Sequence, residues 1–309
     1  IYHLVGKDAQ LDQRIIGWRN RLRGEQHGSH APGEIVALEP LLHESRLIKS
    51  RDEIRCMQRA ARISARAISQ AMQACRPGMN ETEIMAELHY EYTRNGCPAA
   101  YLPIVAGGAN ACVLHYIQND QPLPDNGLLL IDAGCEYQGY AADISRTFPV
   151  SGRFSSAQRD LYDLVLAAQH AAIDQVRPGR PFEAFHEAAV ETLTRGLIDL
   201  GLLGGSLDQN LEQGDYRRFY MHKTGHWLGL DVHDVGDYRI DEQSRVLERN
   251  MVTTVEPGLY IDGGDDIPEH FRGIGIRIED NIRVTDGEPE NLTRAVPSDP
   301  DEIEALMQS

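Results

Sequence analysis

The features that mark membrane and secreted proteins are absent from this 309-residue sequence. Its apolar stretches stay well below the roughly 18–20 residues that a membrane-spanning helix requires. The N-terminal residues do not resemble a secretory signal peptide. The sequence therefore predicts a soluble globular protein without a membrane partner.

Basic residues are scarce relative to acidic ones. Thirty Lys and Arg residues face 47 Asp and Glu residues, which gives a formal net charge of −17. Nucleic-acid binding relies on basic patches that release counterions from phosphates, so we expect no nucleic-acid partner. The excess of acid serves either solubility or the binding of cations, and composition leaves both readings open.

Paired cysteine motifs are also missing. The chain has five cysteines without a C-x-x-C spacing, namely Cys56, Cys75, Cys97, Cys112 and Cys135. An odd, scattered set indicates reduced thiols, and we therefore predict a cytoplasmic protein.

A zinc-protease motif is absent from the histidine-rich stretch HKTGHWLGLDVH, residues 222–233. Two histidines four apart on a helix bind zinc in the H-E-x-x-H pattern, where the Glu is the general base. Lys223 stands in place of that Glu, and Gly225 weakens a helix next to His226. These histidines are therefore expected to act from a loop or strand.

Hydrophobic spacing predicts an α+β fold built from two similar halves. Apolar residues recur at helical intervals after Arg51, and a second helix is predicted from Asn80 to Gly96. The same scheme returns roughly 100 residues later from Ser155. The tripeptides at 76–78 and 177–179 both read Arg-Pro-Gly and close equivalent helices. Strand-like segments follow each pair of helices: LLLIDAG, YAADISRTFPV, MVTTVE and GIGIRIEDNIRV.

The first 44 residues differ from the rest of the chain. They contain a helix-like stretch near Asp12–Leu22 and a polar segment, GEQHGSHAPGE. We expect residues 1–44 to be the remnant of an N-terminal domain with its linker, and residues 45–309 to form a catalytic domain.

Four carboxylates occupy the ends of apolar segments. Asp132 ends one such segment, and Asp143 follows across the bend GCEYQG, so a hairpin would bring the two together. Glu256 ends MVTTVE. Glu279 lies on GIGIRIEDNIRV, which is predicted to be one alternating strand with Ile274, Ile276 and Ile278 on one face and Gly275, Arg277 and Glu279 on the other.

Clustered carboxylates raise one another's pKa, and a multivalent cation relieves that repulsion. Together with the imidazole of His226, these oxygen ligands suit Mn²⁺, Co²⁺, Fe²⁺ or Zn²⁺. Five such side chains are enough for two metals about 3.5–4 Å apart that activate a shared water. Taken singly, each residue also fits an ordinary role as a turn former, a core histidine or an ion-pair partner of Arg277. The combination favours the metal site.

Four blocks of the sequence resemble aminopeptidase P, the Xaa-Pro aminopeptidases of the pita-bread metallopeptidase clan. They are LIDAGCEYQGYAADISRTFPVSG, MHKTGHWLGLDVHDVG, TVEPGLYI and GIGIRIED, and they occur in the family's order within residues 45–309. The resemblance implies a pita-bread fold, in which helices pack on a curved, mainly antiparallel sheet with a pseudo-two-fold repeat.

The resemblance also implies the site and its chemistry. By position, the metal ligands would be Asp132, Asp143, His226, Glu256 and Glu279. Asp143 and Glu279 would bridge two Mn²⁺ ions, and Glu256 would also be the general base. The remaining site residues would be His115, His222, His233, Arg277 and Tyr260. The implied reaction removes the N-terminal residue from peptides with proline in second position. In the family an N-terminal domain, of which residues 1–44 would be only the tail, helps to build oligomers, so the resemblance is compatible with a dimer or tetramer.

Other activities share these features. Prolidase, which cleaves Xaa-Pro dipeptides, has the same ligands, although the blocks read more like aminopeptidase P. Methionine aminopeptidase shares the half-fold but usually lacks the preceding tail. A catalytically inactive pita-bread domain that binds partners would be expected to lose ligands, and none is missing here.

Overall fold

The computed structural model describes residues 1–24 and 30–309. The described chain divides into two compact units, Ile1–Arg46 and Leu47–Ser309, and each is described by itself. The division falls two residues from the predicted boundary. Residues 25–29 of the predicted linker GEQHGSHAPGE lie outside the described part, and the interpretation of residues 1–44 as a domain remnant stays a prediction.

The first unit holds a small parallel strand pair and a helix. Strand β1 (Tyr2–His3) pairs with β2 (Val36–Ala37). Helix α1 (Ala9–Gly24) contains the helix predicted near residues 12–22. Helix α2 (Glu39–Leu47) ends at the border between the units.

Two pairs of helices organise the second unit, as predicted. Helix α3 packs against α4, and α5 packs against α6. Asn80 and Ser155 begin α4 and α5 with capping boxes. The Asn80 side chain accepts the Thr82 N–H and the Ser155 side chain accepts the Gln158 N–H, while the side chains of Glu83 and Gln158 accept the N–H groups of Asn80 and Ser155. The bounds are α3 (Arg51–Ala74), α4 (Glu81–Arg94), α5 (Ser156–Ile173), α6 (Glu183–Asp199), α7 (Leu207–Gln213) and α8 (Pro300–Met307).

The strands of the second unit pair antiparallel throughout. Two three-stranded sheets have the orders β3-β4-β7 and β10-β13-β14, and the pairs are β5-β6, β8-β9 and β11-β12. The bounds are β3 (Ile104–Gly107), β4 (Leu128–Asp132), β5 (Glu136–Tyr137), β6 (Tyr140–Ala141), β7 (Ser145–Pro149), β8 (Arg239–Ile240), β9 (Gln243–Ser244), β10 (Val252–Val255), β11 (Gly258–Ile261), β12 (Ile274–Arg277), β13 (Asp280–Arg283) and β14 (Glu290–Asn291). Each sheet follows one helix pair, so the predicted repeat of two α+β halves is observed.

The main core of this unit lies between the helices and the strands. Apolar side chains of α3, α4 and α5 meet those of β4, β7 and β12 in one buried cluster. Strand β4 is covered on both faces, which explains its unbroken apolar sequence LLLI. Within residues 1–24 and 30–309, no helix is both long and apolar enough to span a bilayer.

One prediction about the strands is wrong. The segment GIGIRIEDNIRV is not a single strand, because it divides into β12, which pairs with β11, and β13, which pairs with β10. At the break, the Ile278 N–H donates to the Pro257 carbonyl and the Glu279 N–H to the Ser145 carbonyl. Both faces of β12 are buried, so its alternation does not separate core from solvent. The break places Glu279 between the two halves of the unit.

Candidate metal centre

The predicted site residues gather around one cavity of the second unit, with a volume of about 520 Å³. Its walls include nine of the ten predicted residues: His115, Asp132, Asp143, His222, His226, His233, Glu256, Arg277 and Glu279. The tenth, Tyr260, is buried behind the wall, and its hydroxyl contacts two of the nine. The sequence prediction therefore placed these residues together correctly, although their roles remain a proposal.

The first half of the unit brings Asp132 and Asp143 together through the predicted hairpin. Asp132 ends β4 opposite Ser145 of β7, and Asp143 lies two residues before that partner. A side chain at Gly134 would lie 1.7 Å from the Ala142 carbonyl oxygen, so only glycine allows the chain to fold back this closely.

The second half supplies His226, Glu256 and Glu279. His226 is held beside β10, where its carbonyl accepts the Thr254 N–H at 2.9 Å. A Cβ on Gly225 would lie 2.1 Å from the Thr254 carbonyl oxygen, which explains the glycine before this histidine.

Three of the five predicted ligands form a tight group. Asp143, His226 and Glu279 each offer a ligand atom, and these atoms all lie within 4.8 Å of one another. The His226 Nε2 atom is 3.4 Å from Asp143 Oδ2 and 3.6 Å from Glu256 Oε1. Asp132 joins through the Tyr101 hydroxyl, which lies 2.6 Å from Asp132 Oδ1 and 2.5 Å from Asp143 Oδ1.

Arg277 is the buried cation that borders the acidic group. Its guanidinium donates to Asp132 Oδ2 at 2.6 Å, to Ser145 Oγ at 2.9 Å and to the Tyr260 hydroxyl at 3.0 Å. The Ser145 hydroxyl in turn donates to Glu279 at 2.7 Å. The alternative of a direct Arg277–Glu279 ion pair is therefore not observed, since the arginine pairs with Asp132 instead.

The other three histidines lie around the acidic group, and the His222 Nδ1 atom is 3.9 Å from Glu256 Oε2. His222 shares a hydrogen bond between its Nε2 atom and the Tyr260 hydroxyl at 2.8 Å. The ring of His233 stands edge-on to the ring of His226, with centroids 4.3 Å apart. His115 is exposed on the cavity wall. His115 and His233 can present ring nitrogens to a ligand in the cavity, whereas both ring nitrogens of His222 already have partners, the Lys223 carbonyl and the Tyr260 hydroxyl.

Burial and mutual repulsion oppose the ionisation of these acids. Burial, reinforced by Asp143 and Glu256, raises the pKa of Glu279 well above its ordinary value. Burial also raises the pKa of Glu256 to about 7, despite nearby His226 and Arg277. Burial lowers the pKa of His226, but the hydrogen bond to Asp143 and the charge of Glu256 outweigh it and bring the pKa to about 9.

The residues fit a divalent cation. Four carboxylates and an imidazole form a hard donor set, and the raised pKa values show that positive charge is in deficit around Glu256 and Glu279. A multivalent cation would remove that deficit. The fold thus brings together a candidate divalent-metal centre of acids and one histidine between two α+β halves.

Sequence reasoning missed Tyr101 and Ser145. Tyr101 links Asp132 to Asp143, and Ser145 links Arg277 to Glu279. Ser145 lies within the quoted block YAADISRTFPV, two residues from Asp143 on the same side of the chain, which was a usable signal. Tyr101 lies far in sequence from every acid of the site, 31 residues from Asp132, and its neighbours in the chain give no sign of a role there.

Comparison with known proteins identifies the family. The model of metallopeptidase family M24 matches residues 55–286. The chain belongs to this family, which confirms the predicted pita-bread fold and the predicted hydrolase.

Within the family the chain groups with the Xaa-Pro aminopeptidases. It is 47% identical to the Xaa-Pro aminopeptidase of Escherichia coli over 99% of this chain and 70% of that protein. It is 52% identical to that of Haemophilus influenzae over 89% of this chain and 64% of that protein. The chain therefore spans about two thirds of the length of these relatives.

Solved structures of related aminopeptidases superpose closely on this chain. An aminopeptidase from Pseudomonas aeruginosa superposes with a TM-score of 0.95 at 49% identity, covering 99% of this chain and 70% of that one. Zinc-substituted E. coli aminopeptidase P in complex with product gives a TM-score of 0.94 at 47% identity, with coverage of 99% and 70%. The predicted resemblance to aminopeptidase P is confirmed.

Proposed function

We propose that the cavity is the active site of a Xaa-Pro aminopeptidase that depends on two divalent metal ions. The observation that carries the proposal is the convergence of Asp143, His226 and Glu279, with ligand atoms within 4.8 Å, in a cavity that also holds Asp132 and Glu256. The similarity to named Xaa-Pro aminopeptidases supports the substrate class.

The proposed metal ligands are Asp132, Asp143, His226, Glu256 and Glu279. Asp143 and Glu279 would be the two ligands shared by both ions. Mn²⁺ is the proposed metal, with Co²⁺, Zn²⁺ and Fe²⁺ as alternatives. Divalent ions held there would supply Lewis acidity toward the scissile carbonyl and an activated water at neutral pH.

The chain's own residues would bind the peptide and move protons. Glu256, with a pKa of about 7 in the metal-free protein, is placed to accept a proton from the attacking water and pass it to the leaving nitrogen. His115 and His233 line the cavity and would donate hydrogen bonds to the substrate carbonyl. Burial and Arg277 lower the pKa of His222 to about 3, so His222 acts as a neutral hydrogen-bonding group.

Selection of proline follows from its shape. A prolyl nitrogen carries no N–H, and its ring fixes φ near −65°. The cavity wall includes the apolar side chains of Leu102, Ile104, Leu114, Ile117 and Val232, which can contact a ring that brings no hydrogen-bond donor. A site shaped for that ring would accept bonds that ordinary peptidases reject.

Several broader expectations belong to the same proposal. Residues 1–44 would be the end of an N-terminal domain, residues 45–309 the catalytic domain, and the assembly a dimer or tetramer. A cytoplasmic location is supported by the five cysteines, which are all free thiols in the described chain.

Peptide hydrolysis tests the proposal. The chain is purified without chelator, analysed for bound metals, and assayed with added Mn²⁺ on Ala-Pro-Xaa, Ala-Ala-Xaa and the dipeptide Ala-Pro. Cleavage of Ala-Pro-Xaa with release of alanine, and about two metal ions per chain, is the expected result. Cleavage of the dipeptide alone would indicate prolidase. Absence of metal and of turnover would refute the peptidase.

A further inference from the structure

The carboxylate of Glu81, in the first turn of α4, is fully buried and satisfied by one stretch of chain. Its Oε1 atom accepts the Gly107 N–H at 2.8 Å and the Asn110 amide at 3.0 Å. Its Oε2 atom accepts the Tyr116 hydroxyl at 2.7 Å and the Gln121 N–H at 2.9 Å. Glu81 itself is 0% exposed and pairs with no arginine or lysine in any described contact.

All four donors belong to residues 107–121, here named the His115 segment. The two residues beside Glu81 in sequence bind the C-terminal end of the His115 segment. The Asn80 side chain donates to the Asp120 carbonyl at 2.8 Å, and the Thr82 hydroxyl donates to the Asn119 carbonyl at 2.7 Å. The first turn of α4 therefore fixes the start, the middle and the end of the segment.

This segment forms part of the cavity wall. Leu114, His115 and Ile117 line the cavity, whereas Tyr116 between them points inward and is 7% exposed. The hydrogen bond from Tyr116 to Glu81 thus sets which neighbours face the cavity. A slip of one residue would bury His115.

The start of the segment also packs tightly against the strand that carries Arg277. A Cβ on Gly275 of β12 would lie 2.4 Å from the Ala111 carbonyl group. Ala111 belongs to the short 3₁₀ turn Gly108–Cys112, so the backbone of this turn packs directly against the backbone of β12. A shift of the turn would therefore be felt at β12 as well as at His115.

We propose that Glu81 is a positioning residue of the active site, which holds His115 over the cavity through the His115 segment. This inference rests on the proposed peptidase function, because it assigns to Glu81 the placement of a group that contacts substrate. Glu81 does not line the cavity and acts only through the residues it binds.

The chemistry of the clamp requires a carboxylate. Glu81 receives four donors and offers acceptor oxygens only, whereas a glutamine of the same volume has one oxygen and one NH₂ group. In E81Q the NH₂ group would face two donors, either those of Gly107 and Asn110 or those of Tyr116 and Gln121. One side of the clamp would then lose the hydrogen bond from a backbone N–H, that of Gly107 or that of Gln121, because an N–H cannot accept from the NH₂ group. The packing volume would not change.

The matched control is Glu91 on the same helix. It is also a buried acid, 1% exposed, but its partners are Arg94 and Asn95 at the other end of α4 and Arg66 of α3. E91Q therefore perturbs the helix without contacting the His115 segment. The Mn²⁺-loaded variants are compared on an Ala-Pro-Xaa peptide, with melting temperatures measured in parallel.

We expect E81Q to lower kcat/KM about 10- to 100-fold, mainly through kcat, because misplacing a positioned group by about 1 Å can cost this much. E91Q should keep kcat/KM within about twofold at a similar loss of melting temperature. In an H115A background, E81Q should lower kcat/KM by less than about threefold, since the two changes act on one group. Equal effects of E81Q in both backgrounds, or an equal effect of E91Q, would overturn the proposal.

Two further measurements keep the test independent of folding yield and of peptidase activity. Y116F removes a single hydroxyl from the clamp and should reproduce part of the E81Q loss. In metal-free protein, E81Q but not E91Q should speed amide hydrogen exchange within residues 107–121, including the Gly107 and Gln121 amides. Unchanged exchange in E81Q would refute the clamp, whereas an inactive wild type with faster exchange in E81Q would refute only the proposed function.

Discussion

Two adjacent buried acids, Glu279 and Asp280, should respond in opposite ways to loss of charge. Both are 1% exposed. Glu279 faces the acidic group, accepts a hydrogen bond from Ser145 and has a pKa held well above its ordinary value by burial and by Asp143. Asp280 instead pairs with the buried Arg146 at 2.8 Å.

The expected magnitudes follow from these partners. In chelator, burial and the neighbouring acids raise the pKa of Glu279 and disfavour its charged form, so E279Q, which places a neutral group of the same size there, should change the free energy of unfolding by less than about 1 kcal/mol. D280N leaves the buried Arg146 without its charged partner and should lower the free energy of unfolding by about 3–5 kcal/mol.

The two variants should differ in the opposite sense in how much Mn²⁺ stabilises them. With free Mn²⁺ at about 100 times Kd, the wild type should gain about 2.7 kcal/mol. E279Q should lose most of this gain, because it lacks a proposed ligand, whereas D280N should keep it. Urea unfolding of the three proteins, with EDTA and with Mn²⁺, measures both quantities.

The reasoning fails if E279Q costs about 3 kcal/mol or more in EDTA, since Glu279 would then carry a compensated charge. It also fails if E279Q keeps the full Mn²⁺-dependent gain. Loss of that gain in D280N would show that the metal effect is not specific to the proposed ligands.

Four further predictions concern the same site. Asp143→Ala should abolish both metal stoichiometry and turnover, measured by metal analysis and peptide hydrolysis; full activity would contradict the ligand assignment. The contribution of Glu256 to the free energy of unfolding of metal-free protein, measured as the difference between wild type and E256Q, should fall as pH rises from about 4.5 to about 7, because burial raises the pKa of Glu256 to about 7 and the native state then binds its proton more tightly than the unfolded chain. Metal affinity, measured by titration, should rise over the same range as protons leave the ligands, and a flat profile would argue against Glu256 as a ligand. Gly134→Ala should cost about 3 kcal/mol, since its Cβ would meet the Ala142 carbonyl at 1.7 Å, whereas Gly204→Ala, with open space around it, should stay within about 0.5 kcal/mol in the same urea assay.

Local signals predicted most of the helices and the convergence of the acids. The capping boxes at Asn80 and Ser155 are read from residues three apart, and the structure has both. Asp132 and Asp143 are joined by a tight bend, so their hairpin was also visible in the sequence. Such features depend on neighbours in the chain, which is why a single sequence reveals them.

Features that depend on distant partners were not predictable in this way. At the break in the last long strand, the Glu279 N–H donates to the Ser145 carbonyl, which lies 134 residues earlier in the chain. The Tyr101 contact with both aspartates has the same origin, since a tyrosine before an apolar strand carries no local mark of its target. Because both faces of β12 are buried, the alternation in its sequence does not mark a solvent-facing side, as it would in a half-buried strand.

The hydrogen bond from the Glu279 amide to the Ser145 carbonyl has a consequence for the order of assembly. It joins two halves that each have their own helix pair and their own strands, so the ligands come within reach of one another only after both halves have folded and docked. A metal ion therefore cannot act as an early template, since an unfolded chain offers it only scattered acids. Ion uptake during refolding should be among the last events, which makes it a signal that the two halves have joined.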